Sequence, residues 1–291
     1  MPAIDDPLLL APHLAARVWG GTRLGPGIGE AWDCSVHPHG PSTVLAGPHA
    51  GRTLAELAAA EPASFGGPIT LLAKRLDCAQ VLSVQVHPRT GDPKTEAWVV
   101  LEAEPGAGVY HGLNGPATRA ELHAAARDGT LPERMRFVEV AEGDAIFVPS
   151  GTLHAIGAGL VLFELQQSAD TTYRLFDWGR GRELHLEQGL DCLDHDAHDP
   201  SPPSRALDDG ATRLVECGHF FIDRLDDAQA ATLDPGARWC AVLVVDGHAQ
   251  AGPHVLDPGQ TLLVPSGAGP CALVPTDGPL RALRYGPPLR G

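Results

Sequence analysis

Short apolar runs, broken at close intervals by Gly and Pro, recur from one end of the chain to the other. They read VLSVQV (81–86), EAWVVLEA (96–103), DAIFVPS (144–150), GLVLFEL (159–165), CAVLVV (240–245) and QTLLVP (260–265). With 34 glycines and 27 prolines in 291 residues, few segments can continue as long helices. Short strands separated by turn signals predict a mainly β chain, folded as a sandwich or barrel. Three stretches carry helical spacing instead: 53–61, 118–129 and 183–194. Thr53 is placed to cap the first. Thr118 followed by Glu121 has the spacing of a capping box.

An internal echo organises the strands. Residues 141–154 read AEGDAIFVPSGTLH and residues 257–270 read DPGQTLLVPSGAGP. Gly143 matches Gly259, and Val-Pro-Ser-Gly repeats at the same offset of 116 residues. WVVLEAEPG near 98–106 has a shorter counterpart in VLVVDG at 242–247. Self-similarity at a fixed period predicts two copies of one β-domain. A Pro-, Asp- and Ser-rich run over 195–210 reads as the linker between them. The expected boundaries are 1–205 for the first domain and 206–291 for the second. The copies differ at one telling position, where His154 in the first is Pro270 in the second.

Charge narrows the partners. The net charge is −15, from 36 acidic and 21 basic residues, which argues against nucleic acid and anionic membranes. A phosphorylated substrate needs a local basic pocket working against that field. Six scattered cysteines, with no C-x-x-C pair, suit reduced thiols. The first residues carry no basic, apolar leader, and no run reaches membrane-span length. The expected setting is cytoplasmic.

The stretch LSVQVHP (82–88) alternates. Leu82, Val84 and Val86 fall on one side, and Ser83, Gln85 and His87 on the other. A half-buried strand facing water also alternates in this way. Gln85 and His87, two apart, project the same way. Glu96 follows a short turn and begins the next apolar run. His154 follows the tight Pro-Ser-Gly turn. In a small barrel, inward-facing residues of neighbouring strands converge. Two imidazoles and a carboxylate form a common catalytic zinc set with a position open for water or substrate, and the Gln85 amide oxygen is a weaker fourth ligand.

This arrangement resembles the cupin pattern, with PSGTLH (149–154) as its second motif and QVH…E (85–96) as its first, Gln replacing the first His. Taken with KTEAW (94–98), VPSGTLHAIGAG (148–159) and FELQQSADTTYRLFDWGR (163–180), the chain resembles type I mannose-6-phosphate isomerases in their short bacterial form. RVWGGTRLG (17–25), GEAWDCSVHPHG (29–40), GPITLLAKRLDC (67–78) and RELHLEQGL (182–190) stand in the expected order. The loop between His87 and Glu96 is shorter than in most members. The resemblance implies two cupin (jelly-roll) β-barrel domains with a few short helices, the first catalytic and the second metal-free.

It also implies one zinc ion per chain, held by Gln85, His87, Glu96 and His154, and interconversion of mannose 6-phosphate and fructose 6-phosphate. Such a reaction moves a proton between C1 and C2 through an enediol-type intermediate. Arg174 is the implied cation near the reacting oxygens or the phosphate. Lys94 is implied in proton transfer or phosphate contact, and Asp170 in acid/base work. Ser83 is placed to reach a phosphate oxygen, and Trp19 and Glu30 to shape the pocket. His37, His39 and His111 read as polar structural residues. The expected assembly is a monomer or homodimer. The competing readings are a cupin isomerase of another sugar or sugar phosphate, a cupin dioxygenase, and a non-enzymatic sugar-binding cupin.

Overall fold

The computed structural model describes residues 3–169, 171–195, 199–226 and 230–288. The fold is mainly β, with three α-helices among the described residues. None of the described helices is long and apolar enough to cross a membrane. The chain divides into two compact units. One comprises Ala15–Glu30 and Arg75–Pro202; the other comprises the residues up to Leu14, Ala31–Lys74 and the segment from Pro203 onward.

The division is less linear than a single boundary at 205/206. The final crossing falls at 202/203, close to the expected linker, but 31–74 and the first strand go with the C-terminal segment. The reason is pairing at long sequence separation. Leu8–Ala11 runs antiparallel to Thr261–Pro265, with Leu9 opposite Leu262, and Thr43–Val44 pairs with its other edge. Part of the expected linker is itself structured. Arg205–Ala206 pairs with Thr212–Glu216, and the Pro200 carbonyl accepts from the Phe147 N–H at 2.8 Å.

The unit built on 75–202 contains a five-stranded sheet. Its order is Tyr173–Phe176, Val84–Val86, His154–Ile156, Gly108–Leu113, Met135–Glu139. A six-stranded sheet runs Ala145–Val148, Glu96–Ala103, Leu160–Gln167, Leu71–Cys78, Ile28–Cys34, His13–Ala16. One apolar cluster joins inward residues of both sheets, including Trp98, Ile146 and Leu162 with Val109 and Ile156. A second cluster covers the other face of the five-stranded sheet, where Val84, Val86 and Ala155 meet Leu122 and Leu190 from two helices.

The alternation of LSVQVHP therefore has a structural meaning. Val84 and Val86 are fully buried against the helices, each burial contributing roughly 1.5–3 kcal/mol. Gln85 points the opposite way, between the sheets. Leu82, just before the strand, departs from the pattern and packs in the inter-sheet cluster.

The helices form where caps allow. Thr53 and Thr118 each make a complete capping box, with Glu56 and Glu121, at the starts of Leu54–Ala60 and Arg119–Asp128. Gly129, at φ 89°, ends the second in the left-handed conformation that glycine adopts without strain. The third is shorter than the expected 183–194, spanning Leu186–Cys192, because His185 supplies no side-chain cap.

The C-terminal unit repeats the strand order. Its larger sheet includes the series Thr261–Pro265, Trp239–Asp246, Arg281–Gly286, Phe221–Asp226, Thr212–Glu216, Arg205–Ala206. Its smaller sheet runs Ala231–Leu233, Cys271–Pro275, Ala249–Ala251, His254–Leu256. The registers match at the sequence echo: Ile146 lies opposite Trp98, and Leu262, 116 positions later, lies opposite Val242.

Candidate metal centre

His87, Glu96 and His154 bring ligand atoms within 4.8 Å of one another, and all three are buried. Each arrives from a different local device. His87 follows the strand Val84–Val86. Glu96 opens the strand Glu96–Ala103, opposite Val148 and Gln166. His154 starts its strand after the turn 149–152, whose Gly151 has φ 91° and donates its N–H to the His87 carbonyl at 2.9 Å. A Cβ on Gly151 would meet the flexible, exposed Arg89 side chain, which can move aside, so the turn needs glycine chiefly for its left-handed conformation.

Hydrogen bonds set both rings. His87 Nδ1 faces the Thr171 carbonyl at 3.0 Å, and His154 Nδ1 faces the Thr152 carbonyl at 2.8 Å. A carbonyl only accepts, so each Nδ1 carries the proton and each Nε2 presents a lone pair. Those two Nε2 atoms lie 3.4 Å from the two oxygens of Glu96. Burial pushes the His154 pKa down to about 3, against the opposing pull of Glu96. Burial, with the Lys94 ammonium beside it, lowers that of His87. Both rings are thus kept neutral, as metal ligation requires.

Gln85 lies beside the cluster. Its Nε2 is placed 3.2 Å from His154 Nε2, while its Oε1 accepts from Ser83 Oγ at 3.2 Å. Amide oxygen and nitrogen exchange by a half-turn of the terminal bond, which would aim the oxygen at the cluster. Ser83 orients that amide. The donor set, two imidazole nitrogens, one carboxylate and one amide, fits a divalent borderline metal.

Lys94 is buried beside the cluster. Its Nζ lies 2.8 Å from Glu96 Oε2, 3.3 Å from His87 Nε2 and 3.9 Å from Glu164 Oε1. Burial works against its charge, but Glu96 and Glu164 outweigh it, and the pKa is raised. Burial alone would raise the Glu96 pKa; the Lys94 ammonium instead holds it well below the usual carboxylate range. The ammonium and the carboxylate sustain each other.

A row of side chains crosses the five-stranded sheet on the inward face. Register places His111, His154, Gln85 and Arg174 side by side on consecutive strands. His111 stands outside the metal group, its Nε2 facing the Phe147 carbonyl at 2.9 Å. Arg174 donates Nη1 to the Glu183 carbonyl at 2.9 Å, and its buried Nε has no partner. Burial and the neighbouring Arg182 and Arg180 lower its pKa. Arg180 and Arg182 both pair with the buried Asp177, at 2.9 Å and 2.5 Å.

The remaining expected residues are dispersed. Trp19 lies in the inter-sheet apolar cluster with Trp98. Glu30 pairs with Arg17 at 2.9 Å, and its charge helps raise the Lys94 pKa. Asp170 lies outside the described residues. Glu164, Arg180 and Arg182 were not singled out by sequence. The signal for Glu164 is a lone carboxylate in the apolar run GLVLFEL, and for the arginines the GRGR that follows FDW.

The site is a buried two-histidine, one-carboxylate metal centre on a β framework, with a lysine poised against its carboxylate. Similarity to known proteins names the family. The model for the phosphomannose isomerase type I catalytic domain matches residues 25–106. The mannose-6-phosphate isomerase ManA of Bacillus subtilis (strain 168) is 34% identical over 302 residues, spanning 91% of this chain and 94% of that protein. The crystal structure of the mannose 6-phosphate isomerase from Bacillus subtilis superposes with a TM-score of 0.86 at 27% identity, over 96% of this chain and 99% of that one. A zinc-bound mannose 6-phosphate isomerase shares the fold at TM-score 0.76 and 13% identity, over 97% and 99% of the two chains. The chain belongs to the type I phosphomannose isomerase family.

Proposed function

We propose that this chain interconverts mannose 6-phosphate and fructose 6-phosphate with one zinc ion per chain. The observation that carries the reading is the buried His87–Glu96–His154 cluster with Lys94 against it, in a chain 34% identical to a mannose-6-phosphate isomerase. Gln85, His87, Glu96 and His154 hold the metal. When bound, the metal supplies positive charge that polarises the O1 and O2 oxygens of the sugar. The rest of the reaction belongs to the chain.

Lys94, kept cationic by two carboxylates, donates hydrogen bonds where negative charge develops on the sugar oxygens. Proton transfer between C1 and C2 falls to a carboxylate: Asp170, or Glu164 across Lys94. Arg180 and Arg182 pair with Asp177, and Arg174 lies close by with Glu183; three guanidiniums against two carboxylates leave a net positive cluster in a chain of charge −15. This suits a phosphate dianion, and anchoring it orients the sugar carbons toward the base. Ser83 acts through Gln85.

The reading includes two cupin (jelly-roll) copies, the first catalytic and the second metal-free. It also takes a cytoplasmic protein, monomeric or homodimeric, without nucleic-acid or membrane partners. The test is a coupled assay of mannose 6-phosphate turnover before chelation, after chelation and after zinc is restored. Activity that disappears and returns supports the isomerase and its metal together. No turnover in zinc-replete protein overturns the substrate, and a screen of other aldose phosphates then follows.

A further inference from the structure

The C-terminal unit also gathers charge between its sheets. Arg213, Asp223 and Arg284 sit side by side on three adjacent strands, and the same row continues as Val242, Leu262 and Leu9. The last three belong to the apolar core of this unit, so the charged trio occupies the same inward face. Asp223 is fully buried, and Arg213 and Arg284 are nearly so. Both guanidiniums bond to the one carboxylate: Arg213 through Nε and Nη2, Arg284 through Nε and Nη2 at 3.1 Å and 2.8 Å. Arg284 Nη1 reaches Asp209 at 2.8 Å and the Thr232 carbonyl at 3.0 Å.

Arg213, Arg284 and Asp209 border a half-open cavity of about 620 Å³, with Glu216, Asp208 and Phe221 also on its wall and Asp223 behind the two arginines. That volume lies in the range of small-molecule pockets. Arg213 Nη1 also pairs with Glu216 at 3.0 Å. Each guanidinium carries five donors, so these partners together do not exhaust the N–H groups of either arginine, and both line the cavity. Carboxylates at the rim supply acceptors. Counting Asp223, acidic groups around the cavity outnumber the arginines, which disfavours an anion.

We propose that this cavity is a second small-molecule site, for a neutral polyhydroxylated ligand such as an unphosphorylated hexose or polyol. Hydroxyls donate to carboxylates and accept from guanidiniums, and a neutral ligand meets no repulsion in the acidic field. Arg213 stacks on the Phe221 ring with its guanidinium carbon 4.6 Å from the centroid, which fixes the plane of its donors.

The test is ligand-observed NMR titration of the full-length, zinc-replete protein with D-mannose and with sorbitol, up to roughly 100 mM. Each titration is run without and then with saturating mannose 6-phosphate, which fills the metal site. We expect binding of sugar or polyol that persists under these conditions. It weakens about tenfold or more in Arg213→Lys, which keeps charge and loses the planar fork, while turnover changes less than about twofold. If Arg213→Lys fails to fold, Asp208→Ala, an exposed rim change, carries the same expectation. Absent binding overturns the proposal, as does binding abolished by mannose 6-phosphate or unaltered in a folded variant. Inorganic phosphate binding in place of the sugars overturns the neutral class. Any of the latter outcomes leaves the trio as a purely structural ion network.

Discussion

The metal-bearing sheet pair and its C-terminal counterpart use the same strand order and register for opposite ends. In the first, Glu96 lies opposite Val148; in the second, Cys240 lies opposite Val264. Where Glu164 faces Trp98, Arg284 faces Val242. The echo replaces His154 with Pro270. The carboxylate position has become a thiol inside an apolar core, and burial pushes the Cys240 pKa up to about 12. Such a thiol stays protonated and is a poor metal ligand. One backbone layout thus supports either a metal centre or an arginine–carboxylate cluster, and the choice lies in a few inward side chains.

The sharpest way to break this comparison is His154→Ala. It removes one imidazole from the cluster and leaves the alternating core intact. We expect metal content and isomerase activity to fall together, activity by at least about a hundredfold, with far-UV circular dichroism unchanged. Retained stoichiometric metal in the folded variant would falsify the ligand assignment. Wild-type protein loaded with zinc and desalted is expected to hold one ion per chain; two tightly held ions would show that the C-terminal unit kept a site.

The next largest effect is on stability. Asp223→Ala strands Arg213 and Arg284, both nearly buried, without their shared carboxylate. Removing one partner of a buried ion pair costs about 3–5 kcal/mol. Chemical denaturation should show a loss of that order with metal content unchanged. A loss below about 1 kcal/mol would mean that water enters and screens the pair, as at exposed ion pairs.

Local pattern carried much of this architecture in the sequence. Period-two alternation put Gln85 and His87 on one face, and the Pro-Ser-Gly turn set His154 at the head of its strand. The cap at Thr53 and the capping-box spacing at Thr118 marked two helices to within a residue. What local pattern does not carry is pairing across long separations. Leu8–Ala11 joins Thr261–Pro265, so a unit that looks C-terminal begins near the N-terminus. Trp19 reads from sequence as a pocket residue, and its place in one apolar cluster with Trp98 and Leu82 is set by pairing that sequence does not show. Arg180 and Arg182 look like loop solubility until Asp177 draws them together.

The smallest effect tests that arginine cluster through pH. Burial alone would raise the Asp177 pKa; the bond from Arg182 and the charge of Arg180 outweigh it, and the pKa lies below its ordinary value. A folded-state value below the unfolded one means that ionised Asp177 stabilises the fold at neutral pH. That contribution is complete above the unfolded value, near about 3.9, and is lost as pH falls through the folded one. Its partners are partly exposed, with side-chain accessibilities of 19% and 33%, so screening limits it to about 1 kcal/mol or less. Asp177→Asn should therefore be less stable than wild type at pH 7, with the gap closing below about pH 4. Denaturant midpoints across that range decide it. A gap that is constant with pH would mean that the asparagine costs packing or hydrogen bonding and that the carboxylate's charge is not what holds the arginines.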